Sequence, residues 1–180
     1  MDVATYWFFK SQVARSPYAN DIEWAESIEP PSDALDFFIE YGWVVINSGI
    51  KNQVAQKIWE RVKEAIRQGR PVREAFRHPG KSAAIQAAWD KRETLFDAYC
   101  VATDKLQFCA NLAWIGPITK YHLAKNFGIE CVKPDRHLVR IASASNETPE
   151  QMCRRIADAT GDRLVVVDTV IWRAANMGLA

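Results

Sequence analysis

The sequence predicts an all-α fold, on three observations. Apolar residues recur at helical spacing along nearly the whole chain. Strong helix-start signals punctuate it at Pro30-Pro31-Ser32-Asp33 and Thr148-Pro149-Glu150. The one strand-like run, Arg163 to Val167, has no second strand to pair with.

Taken in order, residues 3–15 form a helix with Tyr6, Phe9 and Val13 on one face. The Pro30-Pro31 run ends a segment, and Ser32 or Asp33 caps an apolar helix over 34–47 whose wide apolar arc makes it central. Asn47-Ser48-Gly49 breaks that helix, and 51–68 is a basic amphipathic helix ending at Gly69-Arg70-Pro71. After a short segment at 71–76, His78-Pro79-Gly80 is a turn and 81–101 one long helix. Helices at 104–112 and 118–127 flank a hairpin, the second closed by Gly128. Another runs from Asp135 to Ala144, and 149–160 has proline at its first position. Arg163 to Val167 is read as an extended connector, after which Asp168 caps a last helix carrying Trp172. Trp7, Phe8, Phe9, Trp43, Trp59, Trp89 and Phe96 are expected mostly in the core.

With 180 residues the chain is long enough to bury a full core as one unit, with room for two lobes. A net charge of +1 decides nothing about partners, but its distribution is informative. Residues 1–50 carry two basic and eight acidic side chains, whereas 51–92 carry eleven and four, so one face is positive to phosphates or the helix faces are simply solvated. Cys100, Cys109, Cys131 and Cys153 lack any C-x-x-C pair and read as buried free thiols in a reducing cytosol. MDVATYWFFK has no basic start or long apolar run, so it does not read as a signal peptide, and no segment has the length to span a bilayer. No membrane partner and no metal are expected, and the expected compartment is the cytoplasm of a bacterial cell or a virus-infected host.

The chemistry concentrates in Ala113 to Ala142. A tight hairpin at Ile115-Gly116-Pro117 leads into a short basic helix, and Lys133-Pro134-Asp135 opens another helix. Glycine beside proline between helices lets a partner approach the backbone and leaves amides for a phosphate. Asp135 follows within a basic segment containing Lys125, Lys133, Arg136 and Arg140. By residue type it is either a helix cap or a carboxylate that stabilises developing positive charge. Trp114 is either a groove wedge or a packing residue. Asn47, Lys51, Asn52 and Gln53 at the helix break read, by residue type, as an exposed polar turn with long side chains. His122 and His137 lack metal-ligand spacing and read as hydrogen-bonding groups.

Leu112-Ala113-Trp114-Ile115-Gly116-Pro117-Ile118-Thr119-Lys120 and Pro134-Asp135-Arg136-His137 resemble the signature of the helix-hairpin-helix Gly/Pro-Asp (HhH-GPD) DNA glycosylase superfamily. Its members carry a pattern like Leu-Pro-Gly-Val-Gly-x-Lys-Thr-Ala, then a helix, then Val-Asp-x-His. The second hairpin glycine, the threonine, the aspartate and the histidine two residues on match, and Trp43–Gly49 with Val54–Ile58 resembles the paired helices presenting base-contacting residues. The similarity spans most of 36–142. Two departures stand out: Trp114 replaces the first hairpin glycine, and Ile118 stands where lyase-active members hold their Schiff-base lysine.

The resemblance implies a two-lobed all-α fold with a hairpin lobe at about 36–139, a second lobe of 1–35 plus 140–180, and the active cleft between them. It implies an enzyme acting on a flipped, damaged or modified base in double-stranded DNA, without lyase activity and without a cofactor. Asp135 would be catalytic. Trp114, Ile115, Gly116, Thr119, Lys120, Lys133 and Arg136 would bind DNA, and Asn47, Lys51, Asn52, Gln53 and His137 would line the base-flipping pocket. An alternative branch resembles viral amino acid:DNA transferases and glutamyl/putrescinyl-thymine pyrophosphorylases, with a free amino acid or amine as second substrate. A second alternative is a non-catalytic hairpin module that only binds DNA.

Overall fold

A computed structural model describes residues 1–180 and contains twelve helices and no strand. The chain divides into two compact units, Met1–Glu29 with Gly128–Ala180, and Pro30–Phe127.

The unit formed by the chain ends comprises α1 (Val3–Ala14), α2 (Ala19–Ser27), α10 (Arg136–Ser143), α11 (Pro149–Thr160) and α12 (Leu164–Asn176). Helix α12 packs against the other four. Every residue from Leu164 to Ile171 is buried, as a helix apolar on all sides requires. This corrects the extended connector at 163–167. The three valines prefer strands in isolation, but burial against four helices outweighs a propensity difference of a few tenths of a kcal/mol per residue. Asp168 accordingly lies inside α12 rather than capping it.

Two further expectations change here. Helix α2 was not anticipated, because only Ile22 and Ala25 form its buried stripe while Trp24 stays exposed. It is anchored from α12, where Arg173 Nε donates to Asp21 Oδ2 at 2.6 Å and the guanidinium lies over Tyr18. In α1, Tyr6, Phe9 and Val13 point inward as expected, but Trp7 and Phe8 are about half exposed. The capping box at Thr148 and Gln151 starts α11, and Gly161, with a φ of 76°, ends it in the left-handed conformation.

The central unit contains α3 (Ala34–Asn47), α4 (Asn52–Arg67), α5 (Val72–Ala75), α6 (Pro79–Asp90), α7 (Arg92–Val101), α8 (Lys105–Ala110) and α9 (Thr119–Asn126). Asp33 caps α3, accepting from Leu35 and Asp36 amides at 2.8 Å. Helix α3 occupies the middle, packed against α4, α6, α7 and α9. Phe37 on it gathers Tyr99, Phe108 and Phe127 at ring separations of 5.0–6.2 Å. The single long helix expected at 81–101 is two helices. Lys91 leaves helical geometry, and Arg92 seals the break by donating to the Trp89 carbonyl at 3.0 Å while lying over its ring. His78-Pro79-Gly80 is the start of α6, not a free turn: His78 caps it through Nδ1, and Pro79 holds the first position.

The boundary between units falls at Phe127/Gly128 and Glu29/Pro30 rather than at 139/140 and 35/36. The segment after Gly128 belongs with the chain ends because its polar groups bond α12. Glu130 pairs with Arg163 at 2.7 Å and accepts from the Val165 amide, and the Lys133 amide donates to Asp168 at 2.9 Å.

Candidate functional site

In the central unit, α8 and α9 are joined by the hairpin Asn111–Ile118. Asp104 caps α8 through the Gln107 amide, and the Tyr41 hydroxyl pins the hairpin by donating to the Ala113 carbonyl at 2.9 Å. Trp114 has a φ of 62°. A bulky residue in the left-handed region costs about 1–3 kcal/mol, so the turn holds a backbone conformation that would suit glycine better. The indole, 48 % exposed, meets the His78 ring edge-on at 5.1 Å and covers Gly80. A β-carbon on Gly80 would lie 2.2 Å from Trp114 Cζ2, so the ring seats directly on α6 backbone.

Gly116 is different. Its φ is not left-handed, and a β-carbon there would meet nothing nearer than Thr119 Oγ1 at 4.0 Å. Nothing inside the protein requires a glycine at this position. What glycine leaves is an open approach to the backbone just before α9, although the Tyr121 amide is already bonded to the Ile118 carbonyl. Thr119 and Lys120 are partly exposed on that first turn, and the Lys120 amide bonds back to Gly116. Ile118 is half exposed. Two side chains near the hairpin turn inward. Ile115 is only 7 % exposed, so its side chain belongs to the core and offers a partner no more than backbone. Lys125 is buried.

The other predicted loop lies in the same unit. Asn47 ends α3, Gly49 turns with a φ of 74°, and Lys51, Asn52 and Gln53 are exposed at the start of α4. The link to the hairpin is Lys81, whose burial no local sequence pattern marks. It is 6 % exposed, and its ammonium donates to the Ser48 carbonyl. Burial holds the Lys81 amine below its usual range. Since Gly80 underlies Trp114 and Lys81 holds Ser48, one turn of α6 brings the hairpin and the loop together. The signal in the sequence was the proline after His78, which marks a helix start.

Lys133, Asp135, Arg136 and His137 lie in the unit of the chain ends. Asp135 caps α10: its Oδ1 accepts from the His137 and Leu138 amides at 2.9 and 3.1 Å. Both bonds use one oxygen, leaving Oδ2 of this partly exposed carboxylate uncommitted. Asp168, 1 % exposed, holds the preceding turn through the Lys133 amide, a support that the sequence did not reveal. Arg136 is exposed, and His137 is partly buried beside it, with 3.4 Å between Arg136 Nε and His137 Nε2.

No three His, Cys, Asp or Glu side chains come together as a metal site. All four cysteines are free. Cys109, Cys131 and Cys153 are buried and Cys100 is exposed, and burial pushes the Cys109 thiol up to about 12. No helix is long and apolar enough to cross a membrane. Comparison with protein-family models, with curated proteins and with solved structures gives no match.

Proposed function

We propose that the chain is an HhH-GPD-type enzyme that acts on a damaged or modified base flipped from duplex DNA. The observation that carries this reading is the meeting, on the first turn of α6, of the α8–α9 hairpin with the Asn47–Gln53 loop. These are separate stretches, each given a DNA-facing role by the family resemblance. In this reading the open backbone at Gly116, with Thr119 and Lys120, takes phosphates and positions the duplex without reading its sequence. Asn47 and Gln53 fill the vacated stack, and the half-exposed Trp114 is a further surface for a base or groove wall.

Asp135 supplies the charge for the chemistry. As the N-glycosidic bond breaks, its electron pair leaves with the base and positive character develops at the sugar. A fixed carboxylate stabilises that charge, and water then adds at the sugar carbon. Oδ1 holds the side chain in place through two amides, which leaves Oδ2 for the reacting centre. With Ile118 where an amine would be needed, no imine forms at that position.

The test is mass spectrometry of nucleosides after incubating the protein with duplexes that contain candidate modified pyrimidines. A released free base is expected. An enlarged nucleoside, formed with an amino acid or amine present, would move the chain to the thymine-modifying branch, and no change would leave a binding module. Asp135→Asn should lower turnover by about 100-fold or more, with DNA affinity retained. Undiminished turnover would end the catalytic assignment.

A further inference from the structure

An open groove of about 1190 Å³ lies wholly in the central unit, along the end of α4, α5 and one face of α6. Arg70, Arg73 and Arg77 line it, with Pro79, Ser82 and Gln86. Two carboxylates also line it, and both have partners: Glu74 faces Arg70 at 3.6 Å, and Asp90 accepts from Gln86 at 3.0 Å. Gln86 in turn accepts from the Val72 amide, fixing α5 against α6. Arg73 and Arg77 are exposed and pair with no carboxylate, so their charge faces the groove and solvent.

The groove and the hairpin flank one helical turn. Pro79 and Ser82 line the groove, while Gly80 between them lies under the Trp114 ring. We propose that this groove holds backbone phosphates of the DNA segment flanking the one gripped by the hairpin. This rests on the hairpin reading given above. A polymer suits the site better than a free nucleotide for two reasons. The arginines stand exposed along an open channel, whereas a small anion needs enclosure by buried donors. Exposed cations spaced along a channel gain affinity from a polyanion by releasing its condensed counterions. Arginine also holds a phosphate by two parallel bonds, which suits a positioning contact.

The experiment measures binding of the full chain to a labelled duplex of about 20 base pairs by anisotropy across a salt series, with ATP as the small-phosphate probe. Arg73→Ala with Arg77→Ala should weaken duplex binding about tenfold at low salt and lower the log–log salt slope by roughly 1.8, two phosphates' worth. Glu74→Gln, which releases Arg70, should strengthen binding. Circular dichroism and thermal unfolding serve as fold controls, and both arginines are at the surface. If the arginine pair changes neither affinity nor slope while Lys120→Ala with Gly116→Val weakens binding, the groove proposal fails and the hairpin reading stands. If the arginine pair weakens binding and the hairpin variant does not, the groove is a phosphate site in its own right, and both the hairpin reading and the flanking placement proposed here are overturned. A wild-type protein that binds no duplex overturns both. ATP binding that depends on the arginines, with duplex binding unaffected, would make the groove a nucleotide site and overturn the proposal.

Discussion

Trp114 and Gly80 form a pair whose logic is local. The left-handed backbone at Trp114 is unfavourable for an indole, and what offsets it is the seat on Gly80 and the edge of His78. Gly80→Ala should expel the ring and cost about 1 kcal/mol, while the same change in a Trp114→Ala background should cost little. Denaturant unfolding of the four proteins gives the coupling; equal costs in both backgrounds would show that Gly80 serves something else. Glu40 is a second residue with a readable consequence. Burial, aided by Asp36, holds its carboxyl above the ordinary 4.5, although Asn126 donates to it at 2.7 Å. A carboxyl raised in the folded state favours folding fully below 4.5, and that contribution is lost as pH rises through the raised value. Glu40→Gln keeps an acceptor for Asn126 without the charge. Its melting temperature should therefore exceed wild type at pH ~7, with the difference closing near pH ~4. A constant difference across that range would reject burial of the charge as the cause.

Among the elements, α3 and α4 are joined by an exchange of large for small. A β-carbon on Gly42 would lie 2.6 Å from Trp59 Cη2, and Trp59 is itself buried, so the ring has nowhere to move. Gly42→Ala should cost about 1–3 kcal/mol despite alanine's better helix propensity, and Trp59→Phe should recover part of it. A chemical-denaturation midpoint at or above wild type would show that α3 shifts freely. Helices with strong ends were legible in advance: Asp33 and Thr148 cap as their sequence context predicts. Those that depend on neighbours were not. Helix α2 has a thin apolar stripe held by Arg173 from across the unit, and the α6/α7 break rests on the side chain of Arg92. Valine at 165–167 suggests a strand until four packing helices are known.

Across the whole molecule, charge divides with the units. Pro30–Phe127 carries fourteen basic and ten acidic side chains, and the unit of the chain ends carries nine and twelve. The hairpin and the arginine groove are both in the unit with the positive balance. Lys120→Ala with Gly116→Val should weaken duplex binding irrespective of sequence and lower the salt slope by about 0.9, one phosphate contact. Room for a β-carbon at Gly116 means the fold should survive the valine, so unchanged affinity at low and moderate salt would remove the hairpin as the anchor.

The sequence by itself determined the all-helical class, most helix starts and the hairpin at Ile115-Gly116-Pro117, because caps, turns and apolar periodicity are local properties carried by a few adjacent residues. It also marked Asp135, whose cap geometry is written in Pro134-Asp135 and the amides that follow. Tertiary structure alone decided which marked residues come together. It assigned Asp135 to the unit of the chain ends and the hairpin to the other, through bonds from Glu130 and Lys133 to α12. It also turned Ile115 and Lys125 inward, and joined Ser48 to the turn beneath Trp114 through a lysine 33 residues away. Such links depend on which faces the core leaves exposed, and burial is a property of the packed chain rather than of any stretch of it.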